Sequence, residues 1–394
     1  MSTSGQINGQ YRGTRGELFP LAISVALLTF VTLGIYRFWG KTRIRKYIWS
    51  STVGDGDAFE YTGTGLEKFL GFLVAIVALA IYLGVVQMLL FFLGLSYSVD
   101  LETPQGILAL NALIYINLFA LLPLIFYATY RARRYKMART RWRGVRFGME
   151  KGAWGYAARA IGYGLLTLLS FGALLPLGTF KLEKYMADRS SFGDARFEQG
   201  GAWTALYGAA KHMFIGFGVV LLALLSGSVM GAAGLAVLGG VIGYIWLMVG
   251  FVYYRVHSFR YMAAHRTLGQ KITFTATPTT GEVIKIYIIG SLLMSLVVAV
   301  MSFTATALLS GLMSLLNVSN MGLVGLFGGV IYIFALVLLG AMALVFITQP
   351  TIAHFITNFS VHNAEALDEI QQRATETGVD AEGFADALDI GGAI

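Results

Sequence analysis

The sequence predicts an all-α polytopic membrane protein with six transmembrane helices, two re-entrant helical segments, short cytoplasmic β-strands and internal repeats. Of its 394 residues, 56% are hydrophobic and only 13% are charged, whereas about a quarter of the residues in soluble domains are charged. Several apolar runs also exceed the roughly 20 residues that cross a bilayer core. These observations exclude a soluble enzyme, a disordered chain and a conventional nucleic-acid-binding domain. The lack of cysteine excludes disulfide scaffolds, iron–sulfur clusters and cysteine nucleophiles.

Eight apolar segments can be identified along the chain. They are 18–39, 69–94, 107–130, 157–180, 205–226, 232–254, 284–309 and 321–347. At 1.5 Å per residue, a helix over 69–94 is about 39 Å long, which is enough to cross a bilayer with some tilt. Length alone therefore allows as many as eight crossings.

The positions of Lys and Arg argue against eight crossings. These residues concentrate in four stretches, 40–68, 131–156, 181–211 and 255–285, and are absent from 95–106, 227–231 and 310–320. Because cytoplasmic loops hold the excess of Lys and Arg, eight crossings would place two of the four basic stretches on the wrong side. We therefore expect segments 18–39 and 157–180 to dip into the bilayer and return, with bends at Thr32-Leu33-Gly34 and at Phe171-Gly172 with Pro176. Eight plain crossings remain the alternative.

A basic residue followed by an aromatic residue recurs after the apolar segments. The pairs are Lys46-Tyr47, Arg134-Tyr135, Lys184-Tyr185 and Arg260-Tyr261, with His354-Phe355 as a degenerate fifth. A Phe follows each of the four Tyr residues at a spacing of 12 or 13, at Phe59, Phe147, Phe197 and Phe274. A fixed spacing indicates one supersecondary unit used several times. Equivalent units are expected on the same side of the bilayer.

Composition divides the chain into three regions. Residues 1–17 form a polar segment, predicted to be cytoplasmic, that lacks the basic-then-apolar order of a cleaved signal peptide. Residues 18–362 form the repeat-built transmembrane domain. Residues 363–394 carry eight acidic residues against Arg373 alone, so this tail is expected to be largely disordered beyond a short helix near 363–373.

Several of these residues resemble the YjgN family of bacterial inner-membrane proteins. The resemblance is carried by the residues Gly16-Glu17-Leu18-Phe19, 28–36 with Trp39, Lys46-Tyr47 and Phe59-Glu60-Tyr61-Thr62-Gly63. The family pattern covers the chain to about residue 360, although Ser170-Phe171-Gly172-Ala173-Leu174 departs from it. The resemblance implies a multi-pass protein of the bacterial inner membrane. It implies no substrate and no catalytic residue.

The basic and aromatic residues are the strongest candidates for a binding site. A Lys or Arg near an anionic inner leaflet gains about 1 kcal/mol, and Tyr prefers the headgroup layer. The candidates for binding an anionic ligand or lipid are Lys46, Tyr47, Arg133, Arg134, Tyr135, Lys184, Tyr185, Arg260 and Tyr261. The alternative is that these residues only orient the protein, as positive-inside flanks do.

Polar residues within the apolar segments form a second group of candidates, namely Lys211, His212, Ser291 and Ser295. An ionisable residue inside a span is a functional candidate by default. The alternatives are that Lys211 extends its amine to the interface and that the serines serve helix packing. The five histidines show no metal-ligand spacing, and no catalytic constellation is visible. We expect no catalytic residue, no metal site and no cofactor.

The sequence favours a non-enzymatic membrane protein whose cytoplasmic face binds anionic lipid headgroups or an anionic solute. Such a protein would be transporter-like or lipid-handling, with both termini in the cytoplasm. The expected partners are membrane lipids with anionic headgroups, and a small anionic solute is a second candidate. Binding to nucleic acid is not expected. The alternative is a structural or assembly subunit that meets a partner, or a second copy, through the Gly-rich faces Gly239xxxGly243 and Gly325xxxGly329.

Overall fold

A computed structural model describes residues 5–95, 102–316 and 321–373 of the chain, with side chains omitted at 312, 315–316 and 321–324. The described residues divide into two compact units. The first unit contains residues 5–61 and 200–369, and the second contains residues 62–199 and 370–373. The predicted acidic tail beyond residue 373 lies outside the described residues.

Helices account for most of the described chain. In chain order they are α1 (Arg15–Val31), α2 (Arg37–Ser51), α3 (Gly65–Phe92), α4 (Pro104–Ala138), α5 (Ala153–Leu169), α6 (Leu175–Ala187), α7 (Tyr207–Met230), α8 (Ala233–Ala264), α9 (Thr280–Leu316), α10 (Met321–Ala343) and α11 (Gln349–Thr357). A π-helical turn, Leu344–Thr348, joins α10 to α11. Short 3-10 helices occur at Trp203–Leu206 and Ala364–Leu367.

The prediction of an all-α fold is wrong, because the described residues also form ten strands. They are β1 (Gln6–Tyr11), β2 (Thr52–Gly54), β3 (Asp57–Tyr61), β4 (Thr140–Trp142), β5 (Val145–Met149), β6 (Ser190–Phe192), β7 (Ala195–Gln199), β8 (Arg266–Leu268), β9 (Ile272–Ala276) and β10 (Phe359–His362). The strands pair antiparallel with their neighbours within each unit. Short cytoplasmic strands were predicted, but strands of three to six residues carry too little sequence periodicity to indicate their number.

Each unit contributes its own run of paired strands. In the first unit the order is β8-β9-β10-β1-β2-β3, and Asn8 of β1 pairs with Ser360 of β10 near the other end of the chain. In the second unit the order is β4-β5-β6-β7, and Phe147 of β5 pairs with Phe192 of β6. The hairpin β2–β3 turns through Asp55-Gly56, with φ of 51° and 84°, the left-handed conformation that two-residue hairpin turns favour.

Among the residues that the structure describes, six helices are long and apolar enough to span a membrane. They are Gly65–Phe92, Pro104–Ala138, Trp203–Met230, Ala233–Ala264, Thr280–Gly311 and Gly325–Thr357. At most 17% of the most apolar window of each is buried within the chain, which leaves most apolar side chains available to lipid. The chain is therefore an integral membrane protein with several spans.

Helices α1 and α5 are not among these six. Each has 17 residues and turns back through a non-glycine residue with positive φ, Leu33 at 51° or Phe171 at 50°. The chain then continues into the short helices α2 and α6. These two segments coincide with the predicted re-entrant segments, and their re-entry stays a prediction.

Close backbone contact holds helices α7 and α8 together. A Cβ atom on Gly250 of α8 would lie 2.6 Å from the backbone nitrogen of Met213, and one on Gly216 of α7 would lie 2.7 Å from that of Leu247. Only glycine permits backbones to approach this closely in a membrane helix pair. Helices α3 and α4 are joined differently, by a 2.6 Å hydrogen bond from Gln87 Nε2 to Asn117 Oδ1.

Candidate functional site

The tyrosine of the first basic–aromatic pair closes the base of a helical hairpin. Tyr47, near the end of α2, contacts the residue that caps the start of α1: its hydroxyl accepts the Thr14 N–H at 2.9 Å. The hydroxyl also lies 3.0 Å from Glu17 Oε2 and from the Thr14 carbonyl oxygen, either of which can accept its proton. Burial, and then the bond to Glu17, raise the pKa of Tyr47 above its ordinary value.

Tyr135 makes the corresponding contact between α4 and α3. Its hydroxyl donates to Glu67 Oε2 at 2.9 Å, and Arg139 Nε lies 3.2 Å from the same oxygen. Glu67 is in the first turn of α3, three residues after the capping residue Thr64. A carboxylate at this position also favours the positive end of the helix dipole. The pattern repeats Thr14 and Glu17 at the start of α1.

Tyr185 joins the end of α6 to the start of α5. Its hydroxyl donates to the carbonyl oxygen of Gly152 at 3.0 Å, and Gly152 is the capping residue of α5. Two guanidinium groups lie over the Tyr185 ring, that of Arg189 at 3.7 Å and that of Arg159 at 4.6 Å from its centre. Both are within the range of a cation–π interaction.

The remaining two hairpins are closed in the same manner by Tyr261 and by a histidine. Tyr261 of α8 accepts the Ala202 N–H at 2.8 Å, just before the 3-10 helix that leads into α7. His354 Nε2 of α11 accepts the Thr279 N–H at 3.0 Å, just before α9. In the fifth pair, therefore, the histidine takes the place of the tyrosine, and Phe355 packs against Phe259.

These five contacts hold the two ends of each hairpin together on one side of its helices. Because each contact joins the start of the outgoing helix to the end of the returning helix, each hairpin begins and ends at the same level. The strands lie between successive hairpins, so within each unit they occupy one side of the helices. The hydroxyl groups of Tyr47, Tyr185 and Tyr261 accordingly bond backbone groups next to the starts of helices, and that of Tyr135 bonds the Glu67 carboxylate.

Most of the basic residues predicted for the site form ion pairs or hydrogen bonds with other residues of the same unit. Arg133 forms a two-pronged ion pair with Glu183 at 2.8 and 2.9 Å. Arg134 is 6% exposed and its Nε donates to the Met149 carbonyl oxygen at 3.0 Å. Lys184 pairs with Asp188 at 3.0 Å and donates to the Gln199 carbonyl oxygen. Among the basic residues of the four predicted basic–aromatic pairs, Lys46 and Arg260 are exposed.

A different group of polar residues gathers on α7 and α8. Lys211 is exposed, and its Nζ lies 5.7 Å from the centre of the Tyr253 ring. The His212 ring meets the same tyrosine edge-on at 4.7 Å, and the His257 ring stacks on it at 3.7 Å. We call Lys211, His212, Tyr253 and His257 the α7–α8 cluster. It unites the predicted intramembrane residues Lys211 and His212 with Tyr253 and His257, which were not predicted as site residues.

The other predicted intramembrane and Gly-rich positions have simpler surroundings. Ser291 and Ser295 are exposed on α9. A Cβ atom on Gly243 would lie 2.8 Å from the Val220 backbone nitrogen, so that face of α8 is covered by α7. A Cβ atom on Gly325 or Gly329 of α10 would meet no other described part of the chain within 4 Å.

Similarity to known proteins gives the family. The family described as "Bacterial protein of unknown function (DUF898)" matches residues 6–387. The chain belongs to this YjgN-like family. Inner membrane protein YjgN of Escherichia coli O157:H7 is 27% identical over 147 residues, which are 36% of this chain and 32% of that protein. Inner membrane protein YjgN of Salmonella typhimurium strain LT2 is 24% identical over 149 residues, or 37% and 33% of the two chains.

The matched stretch spans about a third of the length of these YjgN relatives. No solved structure matches the chain. The relatives are inner-membrane proteins by name, and the six apolar helices agree with that location. Among the described residues, no three His, Cys, Asp or Glu side chains are grouped as metal ligands.

The described residues of the first unit also form a cleft of about 300 Å³ that the sequence did not indicate. Its walls include Tyr11 of β1, Arg15 of α1, Glu282 of α9 and Gln349 of α11. The signal in the sequence was the pair Gln349-Pro350, a polar amide and a helix breaker that follow the apolar segment 321–347 after one residue. The residues that approach Gln349 are remote in sequence, so the pair alone could not indicate a cleft.

Proposed function

We propose that this chain is a non-enzymatic protein of the inner membrane that binds anionic phospholipid headgroups through the α7–α8 cluster. The observation that carries the proposal is the exposed amine of Lys211, held beside the ring of Tyr253 with two imidazoles against the same ring. A cation next to aromatic rings is suited to the headgroup layer, where Tyr is favoured and phosphate is abundant.

The surroundings of the cluster support a lipid ligand over a soluble one. Ile215, Tyr244 and Phe251 expose 47%, 61% and 47% of their surface on the same two helices. Arg255 and Arg260 are exposed further along α8. An anionic lipid can place its acyl chains on the apolar surface and its phosphate near the cations.

The orientation of the protein belongs to the same proposal. The strand-bearing side of each unit would face the cytoplasm, because the basic stretches 40–68, 131–156, 181–211 and 255–285 connect through the strands. The pairing of β1 with β10 supports a shared side for the two ends of the described chain. In this proposal six helices cross, and the hairpins α1–α2 and α5–α6 re-enter.

Native mass spectrometry of the purified protein tests the proposal. The protein would be incubated with equal amounts of phosphatidylglycerol and phosphatidylcholine, which differ in net charge. We expect preferential retention of phosphatidylglycerol, reduced several-fold in Lys211→Gln. Lys271→Gln is the matched control, because it removes the same charge from an exposed turn where Lys271 pairs only at the surface with Glu369.

Two results would contradict the proposal. One is equal retention of the two lipids by the unaltered chain, and the other is an unchanged preference in Lys211→Gln. A protein that co-purifies stoichiometrically, together with either result, would favour the assembly-subunit alternative. The open face around Gly325 and Gly329 is then the first to mutate, since α7 covers that around Gly243.

A further inference from the structure

The tip of the hairpin α5–α6 holds a bulky apolar residue in a strained backbone conformation. Phe171 has a φ of 50° and is 85% exposed. Bulky side chains rarely adopt this left-handed conformation, and at this exposure little packing within the chain compensates for it. Leu33, at the tip of α1–α2, repeats the feature with a φ of 51° and 94% exposure. The other non-glycine residues with positive φ in the described chain are all polar, namely Asp55, Arg143, Gln270 and Asn363.

The backbone N–H groups at the tip of α5–α6 all have partners within the hairpin. Gly172 N–H donates to the Thr167 carbonyl oxygen at 2.7 Å, and Ser170 Oγ accepts the Leu174 N–H at 3.0 Å. The other N–H groups of residues 170–175 donate to backbone carbonyl oxygens of the hairpin. An unsatisfied backbone group is costly in hydrocarbon. The tip can therefore leave water without losing hydrogen bonds of its N–H groups.

The charged residues below the tip indicate how deep it can lie. Residues 160–180 carry no charge, and the flanking Arg159 and Lys181 are both exposed. These two cations lie at a similar height, because a Cβ atom on Gly178 of α6 would lie 3.4 Å from Tyr163 Cβ of α5. From Arg159 to the end of α5 the helix rises about 15 Å. This distance is half of a hydrocarbon core of about 30 Å.

The neighbouring span α4 supports this assignment of the boundary. Arg131 is the first charged residue after the apolar run of α4. Two residues further on, Arg133 pairs with Glu183 of α6 at 2.8 Å, and Glu183 lies two residues beyond Lys181. The first cations of α4 and α6 are therefore at about the same level within this unit. A boundary at this level leaves the uncharged part of α5–α6 on the hydrocarbon side.

From this arrangement we infer that the hairpin α5–α6 inserts to about the middle of the bilayer and packs Phe171 against lipid acyl chains. Leu168 and Leu169 extend the apolar surface beside it, with 68% and 76% exposed. Contact with acyl chains offsets the strained conformation at Phe171, which contact within the chain does not. The inference rests on the proposed re-entry of this hairpin and adds its depth and its contact surface.

The hairpin α1–α2 has the same turn but should lie less deep. Thr32 Oγ1 accepts the Tyr36 N–H at 2.9 Å, as Ser170 does for its own turn. The exposed Arg37, however, follows Leu33 after four residues, a rise of about 6 Å. An Arg side chain extends its guanidinium toward the headgroups. We therefore expect Leu33 just below the headgroup layer.

Depth-dependent fluorescence quenching tests the inference. Single-cysteine variants of the full chain, which has no native cysteine, would carry an environment-sensitive fluorophore in phosphatidylcholine vesicles. A nitroxide is placed either on the headgroup or near the end of the acyl chain. We expect several-fold stronger quenching of Phe171→Cys by the acyl-chain nitroxide than by the headgroup nitroxide. Leu33→Cys should show the reverse order.

Two further positions serve as controls. Phe119→Cys is the matched reference, because Phe119 is 58% exposed on α4 and lies as many residues from Arg131 as Phe171 lies from Arg159. It should give the same quenching ratio as Phe171→Cys. Glu198→Cys, exposed on β7, should be quenched only by aqueous iodide.

The outcomes separate lipid, water and protein around the tip. Stronger quenching of Phe171→Cys by the headgroup nitroxide or by iodide would overturn the inference. Protection from both nitroxides and from iodide would mean that protein covers the tip, and would overturn it as well. Leu169→Cys repeats the measurement outside the left-handed turn, should the tip variant fail to fold. The vesicles contain no anionic lipid and Lys211 is unaltered, so this result is independent of lipid selection by the α7–α8 cluster.

Discussion

The hairpins α5–α6 and α7–α8 share one kind of base and differ in length. Each is closed where it meets the strands, by Tyr185 on Gly152 and by Tyr261 on Ala202. Helix α5 has 17 residues and α8 has 32, which correspond to about 26 Å and about 48 Å. The tip of the short hairpin exposes Phe171 by 85%.

The comparison shows that different residues determine how a hairpin is closed at the strands and how long its helices are. A tyrosine near the end of the returning helix and a capping position before the outgoing helix are sufficient to bring the chain back to the strands. The number of apolar residues between them then determines how far the hairpin extends into the bilayer. A short hairpin with an apolar tip suits re-entry, and a long one suits two crossings.

The largest effect is expected from cysteine labelling of the two tips, because the chain has no native cysteine. We expect a membrane-impermeant maleimide to label Ser228→Cys, near the end of α7, in intact spheroplasts. Phe171→Cys should remain unlabelled there, and Glu198→Cys on β7 should be labelled only after lysis. Labelling of Phe171→Cys in intact spheroplasts would mean that α5–α6 crosses as fully as α7–α8.

The next effect concerns packing within the long hairpin. Gly250→Ala should destabilise the protein by about 1–3 kcal/mol, because its Cβ atom would lie 2.6 Å from the Met213 backbone nitrogen. Gly240→Ala in the same helix is the matched control, since its Cβ atom would meet no other described part of the chain within 4 Å. Unfolding in mixed detergent micelles, followed by circular dichroism, measures both. Equal stability of the two variants would disprove close packing of α7 on α8.

The two tyrosine closures should differ in strength. Tyr185→Phe removes the donor to the partly buried Gly152 carbonyl oxygen, and we expect a loss of about 1 kcal/mol. Tyr261→Phe should cost less, because water can reach the exposed Ala202 N–H. Tyr115→Phe on the exposed face of α4 controls for the substitution itself. A larger loss in Tyr261→Phe than in Tyr185→Phe would reverse the assignment.

The smallest effect is a pH dependence at the base of the first unit. The pKa of Tyr11 rises from 10.0 to about 12 on folding, chiefly through burial. The folded chain therefore holds this proton more tightly than the unfolded chain, and its contribution is complete below pH 10 and is lost as pH rises toward 12. In Tyr11→Phe the free energy of unfolding should fall less steeply over that interval. Identical slopes in the two proteins would contradict the assigned burial.

Parts of the fold and site could be predicted from sequence because they depend on local composition. The six long spans follow from apolar length, and the interruptions in 18–39 and 157–180 coincide with observed turns at Leu33 and Phe171. The association of Lys211 with a membrane helix was also readable. The partners of the basic–aromatic pairs were not, because Tyr135 and Glu67 are separated by 68 residues.

The basic residues differ in exposure, and this difference also depends on contacts between residues that are far apart in the sequence. Lys46 and Arg260 remain exposed, as a surface binding role requires. Arg45 and Lys68, equally basic and in the same stretch 40–68, are fully buried. All four residues carry the same charge in the sequence, but only packing determines which of these charges face solvent.

By itself, the sequence determined that this protein is a membrane protein. It also determined the positions of the basic stretches and of the recurring tyrosines, because hydropathy and charge act locally on each segment. Tertiary structure alone decided that strands of three to six residues pair, with Asn8 opposite Ser360. It also decided that His354 closes the fifth hairpin and that Gln349 is buried beside Arg15 and Glu282. Such contacts depend on residues far apart in the chain, whose proximity is stabilised by the packing of the whole unit.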